Sequence, residues 1–220
     1  MIDADPQSSL TFYLGHEVEP NQPTLLEVLK KQVSVEDGIY ESHESNLWLI
    51  PSDEALDNAQ DFLSSSGMGA IVLRKRLLEV AELFSFCLID APPQRSQICL
   101  TTIGAADYLL IPVEASSKGL GSLIRTLELV RELEEIDAFT GKVLGVLPFR
   151  DRWAGRNQTH QSRKSIEGMR SVAGSIPILP SILESEQYKK AIDTGKTLAE
   201  LGQIQLEYPF QHLVELLKVK

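Results

Sequence analysis

The chain is short of cysteine, of aromatic residues and of long apolar runs, and each shortage removes a class of protein. Two cysteines, Cys87 and Cys99, are too few for a disulfide-dense secreted domain. Each lies in an apolar stretch, so both read as reduced packing residues of a cytoplasmic protein. No run of about 18 apolar residues occurs, so no transmembrane helix is expected. No basic segment followed by an apolar core opens the sequence, so no signal peptide is read. Cations are scarce as well: 21 Lys and Arg stand against 31 Asp and Glu, a net charge of −10. That balance argues against nucleic-acid binding by bulk attraction.

What is present is a soluble composition, 43% hydrophobic and 24% charged over 220 residues. One domain over 1–220 is the default, long enough to bury roughly 70% of its unfolded surface. Short apolar runs read as strands at 46–51, 86–90, 108–113, 142–148 and 176–179. Helical spacing separates them, at 71–84, 94–104, 120–135 and 159–172, with further helices at 185–192, 198–201 and 207–218. Thr24 is set to cap a helix starting at Leu25, and Ser52 to cap one running through Leu56 and Phe62. Strands of four to six residues alternating with longer helices predict an α/β fold, a mainly parallel doubly wound sheet with helices on both faces. Right-handed crossovers then bring the strand C-termini to one edge, where ligands bind.

Two segments carry chemistry. Asp3-Ala4-Asp5-Pro6-Gln7 leaves an apolar strand end with two alternating carboxylates, and Pro6 stops further pairing. Phe86-Cys87-Leu88-Ile89-Asp90 delivers a third carboxylate ahead of Ala91-Pro92-Pro93. Oxygen ligands at such edges suit Mg²⁺ and its waters. Together these segments resemble the ParA/MinD family of deviant Walker-type ATPases, the first as switch I and the second as the Walker B strand. Pro51-Ser52 with Ala55-Leu56, Tyr108 to Ala115, Gly119-Leu120 with Leu123, Gly145 to Pro148, and Pro177 to Pro180 extend the resemblance over essentially the whole chain.

The resemblance implies a P-loop NTPase-like fold, ATP and Mg²⁺ as cofactors, and roles for particular residues. Asp5 would orient the attacking water. Asp3 would support Mg²⁺ and Asp90 would hold it through water. Gln7, Pro92, Pro148 and Pro180 fall where the family meets its nucleotide. Family members form homodimers around ATP, bind nonspecific DNA of the nucleoid and answer to a cargo adaptor protein, with no membrane partner. The implied function is to position or partition a plasmid, a chromosome or a protein organelle such as a carboxysome.

Two departures stand against the pattern. No stretch matches G-x-x-x-x-G-K-[ST], whose amides cradle phosphates. The single Gly-Lys-Thr, at 195–197, has Lys190 where the motif needs its first glycine, and reads as a helix end and restart. The expectation is therefore a ParA-like domain without its N-terminal strand, phosphate loop and first helix, an ATP hydrolase when that loop is present upstream and inactive as residues 1–220 alone; the alternative is a relative that has lost nucleotide chemistry. The second departure is Pro180-Ser181-Ile182-Leu183 in place of an arginine-rich segment, which puts the adenine contacts and any arginine expected there in doubt. Competing functions are a non-hydrolysing, partner-binding scaffold and an ATP-dependent enzyme resembling cobyrinic acid diamide synthase.

Charge is unevenly spread. Between 150 and 170, Arg150, Arg152, Arg156, Arg163, Lys164 and Arg170 face only Asp151 and Glu167. A basic stripe on an acidic body suits salt-sensitive contact with phosphates. Arg163, Lys164 and Arg170 are the candidate DNA contacts; Lys218 and Lys220 on the closing helix are the reserve.

Overall fold

A computed structural model of the chain describes residues 1–43 and 46–218, so Lys220 lies outside the described residues. Two compact units form, one of residues 1–107 with 132–140, the other of 108–131 with 141–220.

In the first unit, β1 (Ile2–Asp3) pairs in parallel with β4 (Ile89–Asp90), Asp3 opposite Asp90. Ile2 also bridges in parallel to Ile50. That residue follows β3 (Trp48–Leu49), which pairs antiparallel with β2 (Tyr40–Glu41). Thr24 caps α2 (Leu25–Leu29) as its sequence predicts, in a capping box closed by Glu27. α2 contributes Leu25 and Leu29 to a core that also holds Ile2, Leu56, Leu63, Leu73 and Ile98. That core is completed by α3 (Ala59–Ser65), α4 (Val72–Leu77) and α5 (Gln97–Ala105). Buried Arg76 donates from Nε to Val28 O at 2.9 Å, a carbonyl in the last turn of α2, and from Nη2 to Val33 O at 2.7 Å in the segment that follows.

Three local expectations are corrected here. The helix read at 71–84 is α4 followed by 3-10 turns over 78–83. Asp53, not Ser52, caps the next helical segment, accepting from Ala55 N at 3.1 Å. The strand read at 86–90 is paired only at Ile89–Asp90, and Phe86, Cys87 and Leu88 are exposed. Among the described residues, β4 has β1 as its only ladder partner, so apolar character upstream of Ile89 lacks a neighbour to bury it. Cys87 is therefore a free, exposed thiol rather than a packing residue.

In the second unit, β5 (Tyr108–Glu114) and β6 (Lys142–Phe149) form a seven-pair parallel ladder from Tyr108↔Lys142 to Glu114↔Phe149. The core beside it joins Ile111, Val113 and Val146 to Leu123 and Leu127 of α6 (Ser117–Glu135) and to Ile166 and Met169 of α7 (His160–Ala173). Ile176 to Leu179 contributes a single bridge, Val146↔Ile178, where a strand was expected. A hairpin absent from the sequence reading, β7 (Trp153–Ala154) and β8 (Asn157–Gln158), turns at Gly155, whose φ of +61° favours glycine. Gly195 closes α8 (Glu186–Thr194) in the left-handed conformation, so Gly195-Lys196-Thr197 is a helix end, as expected. Leu198 to Leu201 forms a turn rather than a helix: Gly202, at φ +71°, ends it after four residues. The last helix is α9 (Tyr208–Lys218). Among the described residues, no helix is long and apolar enough to cross a membrane.

Candidate functional site

Parallel register sets the site. With Asp3 opposite Asp90, both chains emerge at the same end of the β1–β4 pair, and Asp5 follows two residues later. Partial burial pushes the Asp90 carboxyl above its ordinary range, and the charges of Asp3 and then Asp5 push it further. Asp90 thus feels the charge of both other carboxylates.

Their environments differ. Asp3 is fully buried, and both of its oxygens are engaged: Oδ1 accepts from Asp5 N at 3.1 Å, and Oδ2 from Thr11 N and Thr11 Oγ1, each at 2.8 Å. Asp5 is half-buried, and its Oδ1 accepts from Gln7 N at 2.9 Å. Asp90 is exposed. Ser8, at φ +55°, turns the chain from this loop into α1 (Ser9–Tyr13). Thr11 escaped the sequence reading, and Ser52 entered it only as a helix cap and a position of family resemblance. Ser52 donates from Oγ to Asp5 O at 2.8 Å and from N to Thr11 Oγ1 at 3.1 Å, which is why it does not cap a helix. No spacing in the sequence marks either residue: the Thr11 hydroxyl is singled out only by its burial between exposed neighbours such as Ser9, Phe12 and Tyr13.

Oxygen-only donors with mutually repelling charges are the chemistry Mg²⁺ favours. Among the described residues, no group of three or more His, Cys, Asp or Glu is arranged to grip a metal directly. The residues therefore fit a water-bridged Mg²⁺ shared with nucleotide phosphates, the usual manner for this ion, rather than a protein cage.

Of the other candidates, exposed Gln7 and buried Pro92 flank the carboxylates in sequence within the first unit. Pro148 and Pro180 belong to the second unit; buried Pro148 pairs with Val113 and accepts at O from Ile182 N at 2.8 Å. Pro180 lines a cavity of about 230 Å³ with Ser181, Tyr188 and Leu206. Arg163, Lys164 and Arg170 are exposed on α7, opposite its buried face of Ser162, Ser165, Ile166, Met169 and Ala173. The stripe is weaker than its six cations imply. Arg150 approaches Glu114 at 3.7 Å, and Arg152 meets Glu184 through two bonds of 2.6 and 3.0 Å.

A family model described as an AAA domain matches residues 1–138. The chain is 65% identical, over 98% of its length and 85% of the relative's, to the maintenance of carboxysome distribution protein A of Synechococcus elongatus. A probable plasmid-partitioning protein ParA of Thermus thermophilus is 28% identical over 98% of the chain and 67% of that relative. The chain belongs to the ParA/MinD family. Solved ParA/MinD-type structures agree. An ATP complex of a Cyanothece McdA variant, 57% identical, superposes with a TM-score of 0.98 over 100% of this chain and 84% of that one. Cobyrinic acid a,c-diamide synthase from Mycobacterium smegmatis, with bound ADP and magnesium, is 25% identical with a TM-score of 0.73 over 87% of this chain and 78% of that one. The fold is thus α/β, of the P-loop NTPase type.

Proposed function

We propose that this chain is an ATP-hydrolysing ParA-type positioning protein, with a carboxysome as the favoured cargo. The three-carboxylate group at the end of the β1–β4 pair is the observation that carries the reading, since phosphoryl transfer needs positioning and charge neutralisation more than covalent help. Bound magnesium nucleotide supplies the transferable phosphoryl group and a positive charge among these carboxylates. Asp5 accepts a hydrogen bond from the attacking water and holds it in place. Asp90 would hold magnesium through water, with the Asp3 charge behind it. The cargo is argued from the name of the Synechococcus elongatus relative. In this reading two copies pair around nucleotide, the pair binds nonspecific nucleoid DNA through Arg163, Lys164 and Arg170, and an adaptor protein on the cargo stimulates hydrolysis. The protein works in the cytoplasm.

Magnesium-dependent ATP turnover by the purified protein tests the reading. Asp5→Ala is expected to lower kcat by about 100-fold or more, the range for loss of a positioned acid–base group. Turnover indifferent to this change rejects the assignment. A scaffold without hydrolysis is the second reading, favoured by the lack of any G-x-x-x-x-G-K-[ST] stretch in this sequence. It expects partner binding with no turnover at all.

A further inference from the structure

Four residues close a ring of hydrogen bonds that a metal-ligand role for Asp3 does not explain. Asp5 N donates to Asp3 Oδ1, Thr11 N and Oγ1 donate to Asp3 Oδ2, Ser52 N donates to Thr11 Oγ1, and Ser52 Oγ donates back to Asp5 O. Asp3, Thr11 and Ser52 are 0%, 3% and 1% exposed. The ring joins the end of β1, the middle of α1 and the segment after β3; the first and last already meet at the Ile2–Ile50 bridge, with Asp3 N on Ile50 O at 3.1 Å, and the ring adds α1 to them.

The chemistry of each member is consistent. A buried carboxylate is costly unless hydrogen-bonded, and three donors satisfy Asp3. The Thr11 hydroxyl gives its one proton to Asp3 and accepts from Ser52 N, so its role has a direction that valine cannot reproduce. Neither Asp3 oxygen faces solvent, whereas a magnesium ion held through water needs oxygens that water can reach. Asp90, exposed and strained by its neighbours' charge, meets that need. The main chain of Asp5 is held from both sides, its N by Asp3 and its O by Ser52. Ser8, in the left-handed region that non-glycine residues rarely occupy, is kept there between the fixed Asp5 and the fixed Thr11.

The geometry points to Asp3, Thr11 and Ser52 as positioning residues: a buried latch that fixes the Asp5 segment and α1 as one body, leaving metal chemistry to Asp90. Its consequence for hydrolysis rests on the ATPase reading above; the latch itself is a property of the nucleotide-free protein. The same coupling makes α1, whose Phe12 and Tyr13 are exposed, move with Asp5.

Amide hydrogen exchange of the protein without nucleotide or magnesium tests this directly. Thr11→Val and Ser52→Ala are expected to speed exchange at Asp5, Thr11 and Ser52 by on the order of tenfold, with α7 unchanged. Thr11→Ser keeps the hydroxyl and restores wild-type exchange. Asp3→Asn, which keeps one acceptor oxygen and adds donors that oppose those of Asp5 and Thr11, loosens the loop most; should it fail to fold, the Thr11 and Ser52 variants carry the test. Where the protein turns over ATP, Thr11→Val lowers kcat with KM within about twofold, and Thr11→Ser rescues it. Unchanged exchange in Thr11→Val and Ser52→Ala overturns the latch, as does an Asp3→Asn protein with a wild-type loop and lost magnesium affinity. Exchange as expected with no turnover in any protein leaves the latch standing and removes the ATPase reading.

Discussion

Asp90 sits where function and stability pull apart. Its carboxyl is held above the ordinary value of 3.8 by partial burial first and by the charges of Asp3 and Asp5 next. A raised carboxyl means that the folded chain binds this proton more tightly than the unfolded chain does. Below the ordinary value the group contributes no penalty; as pH rises through the raised value the folded state loses stability, and at neutral pH the whole cost is present. Asp90→Asn is therefore expected to raise the melting temperature of the nucleotide-free protein at pH 7. The gain should shrink at acidic pH, as the wild-type carboxyl takes up its proton. The same variant is expected to lose the stabilisation that magnesium nucleotide gives the wild type. Paired thermal melts at neutral and acidic pH check the sign: a variant less stable than wild type at pH 7 would show that the three carboxylates do not repel as their register implies.

Elements were legible where local chemistry determines them. Thr24 with Glu27 announces α2, Thr159 and Gly195 mark a helix start and a helix end, and the apolar runs of β5 and β6 are parallel strands as read. Elements were illegible where a neighbour decides: Phe86 and Leu88 are as apolar as Ile111 and Val113, yet the first pair is exposed and the second buried. Ser52 looked like a cap because its partners, Asp5 and Thr11, lie 47 and 41 residues away. The three site carboxylates could be read because each ends an apolar run; the ring behind them could not, since no spacing rule links residues 3, 11 and 52. Glycine gives an element-scale test with opposite signs at two positions. A Cβ on Gly104 of α5 would lie 1.9 Å from Ala70 O and 3.2 Å from Ala138 O, both backbone atoms. Gly104→Ala is expected to destabilise by about 1–3 kcal/mol or more. Gly121 lies inside α6, and a Cβ there meets only the tip of Arg125 at 3.5 Å. Gly121→Ala is expected to stabilise by about 0.5–1 kcal/mol through helix propensity. Equal effects in chemical denaturation would show that backbone approach does not fix the seat of α5.

For the whole molecule, a charge of −10 makes any binding to DNA depend on a few local cations. Which cations are free is visible only after folding. Arg150 and Arg152 have carboxylate neighbours in Glu114 and Glu184, while Arg163, Lys164 and Arg170 project from the exposed face of α7, interrupted there by Glu167. Each phosphate contact contributes about 0.9 to the slope of log affinity against log salt. Replacing Arg163, Lys164 and Arg170 by Ala is thus expected to weaken nonspecific binding and to flatten the slope by up to about 2.7, three contacts at that increment. Basal ATP turnover should be unchanged, because none of the three belongs to the loop that carries Asp3 and Asp5. Arg152→Ala supplies the internal comparison. It removes a cation already bound to Glu184 and frees that carboxylate, so it should lower affinity through added negative charge while changing the slope less than Arg163→Ala. Binding measured between about 50 and 200 mM salt separates the two effects. If Arg152→Ala flattens the slope as much as Arg163→Ala, the phosphates are met at the 150–158 hairpin instead of α7; if neither does, the stripe is a solvated face and DNA leaves the proposed function.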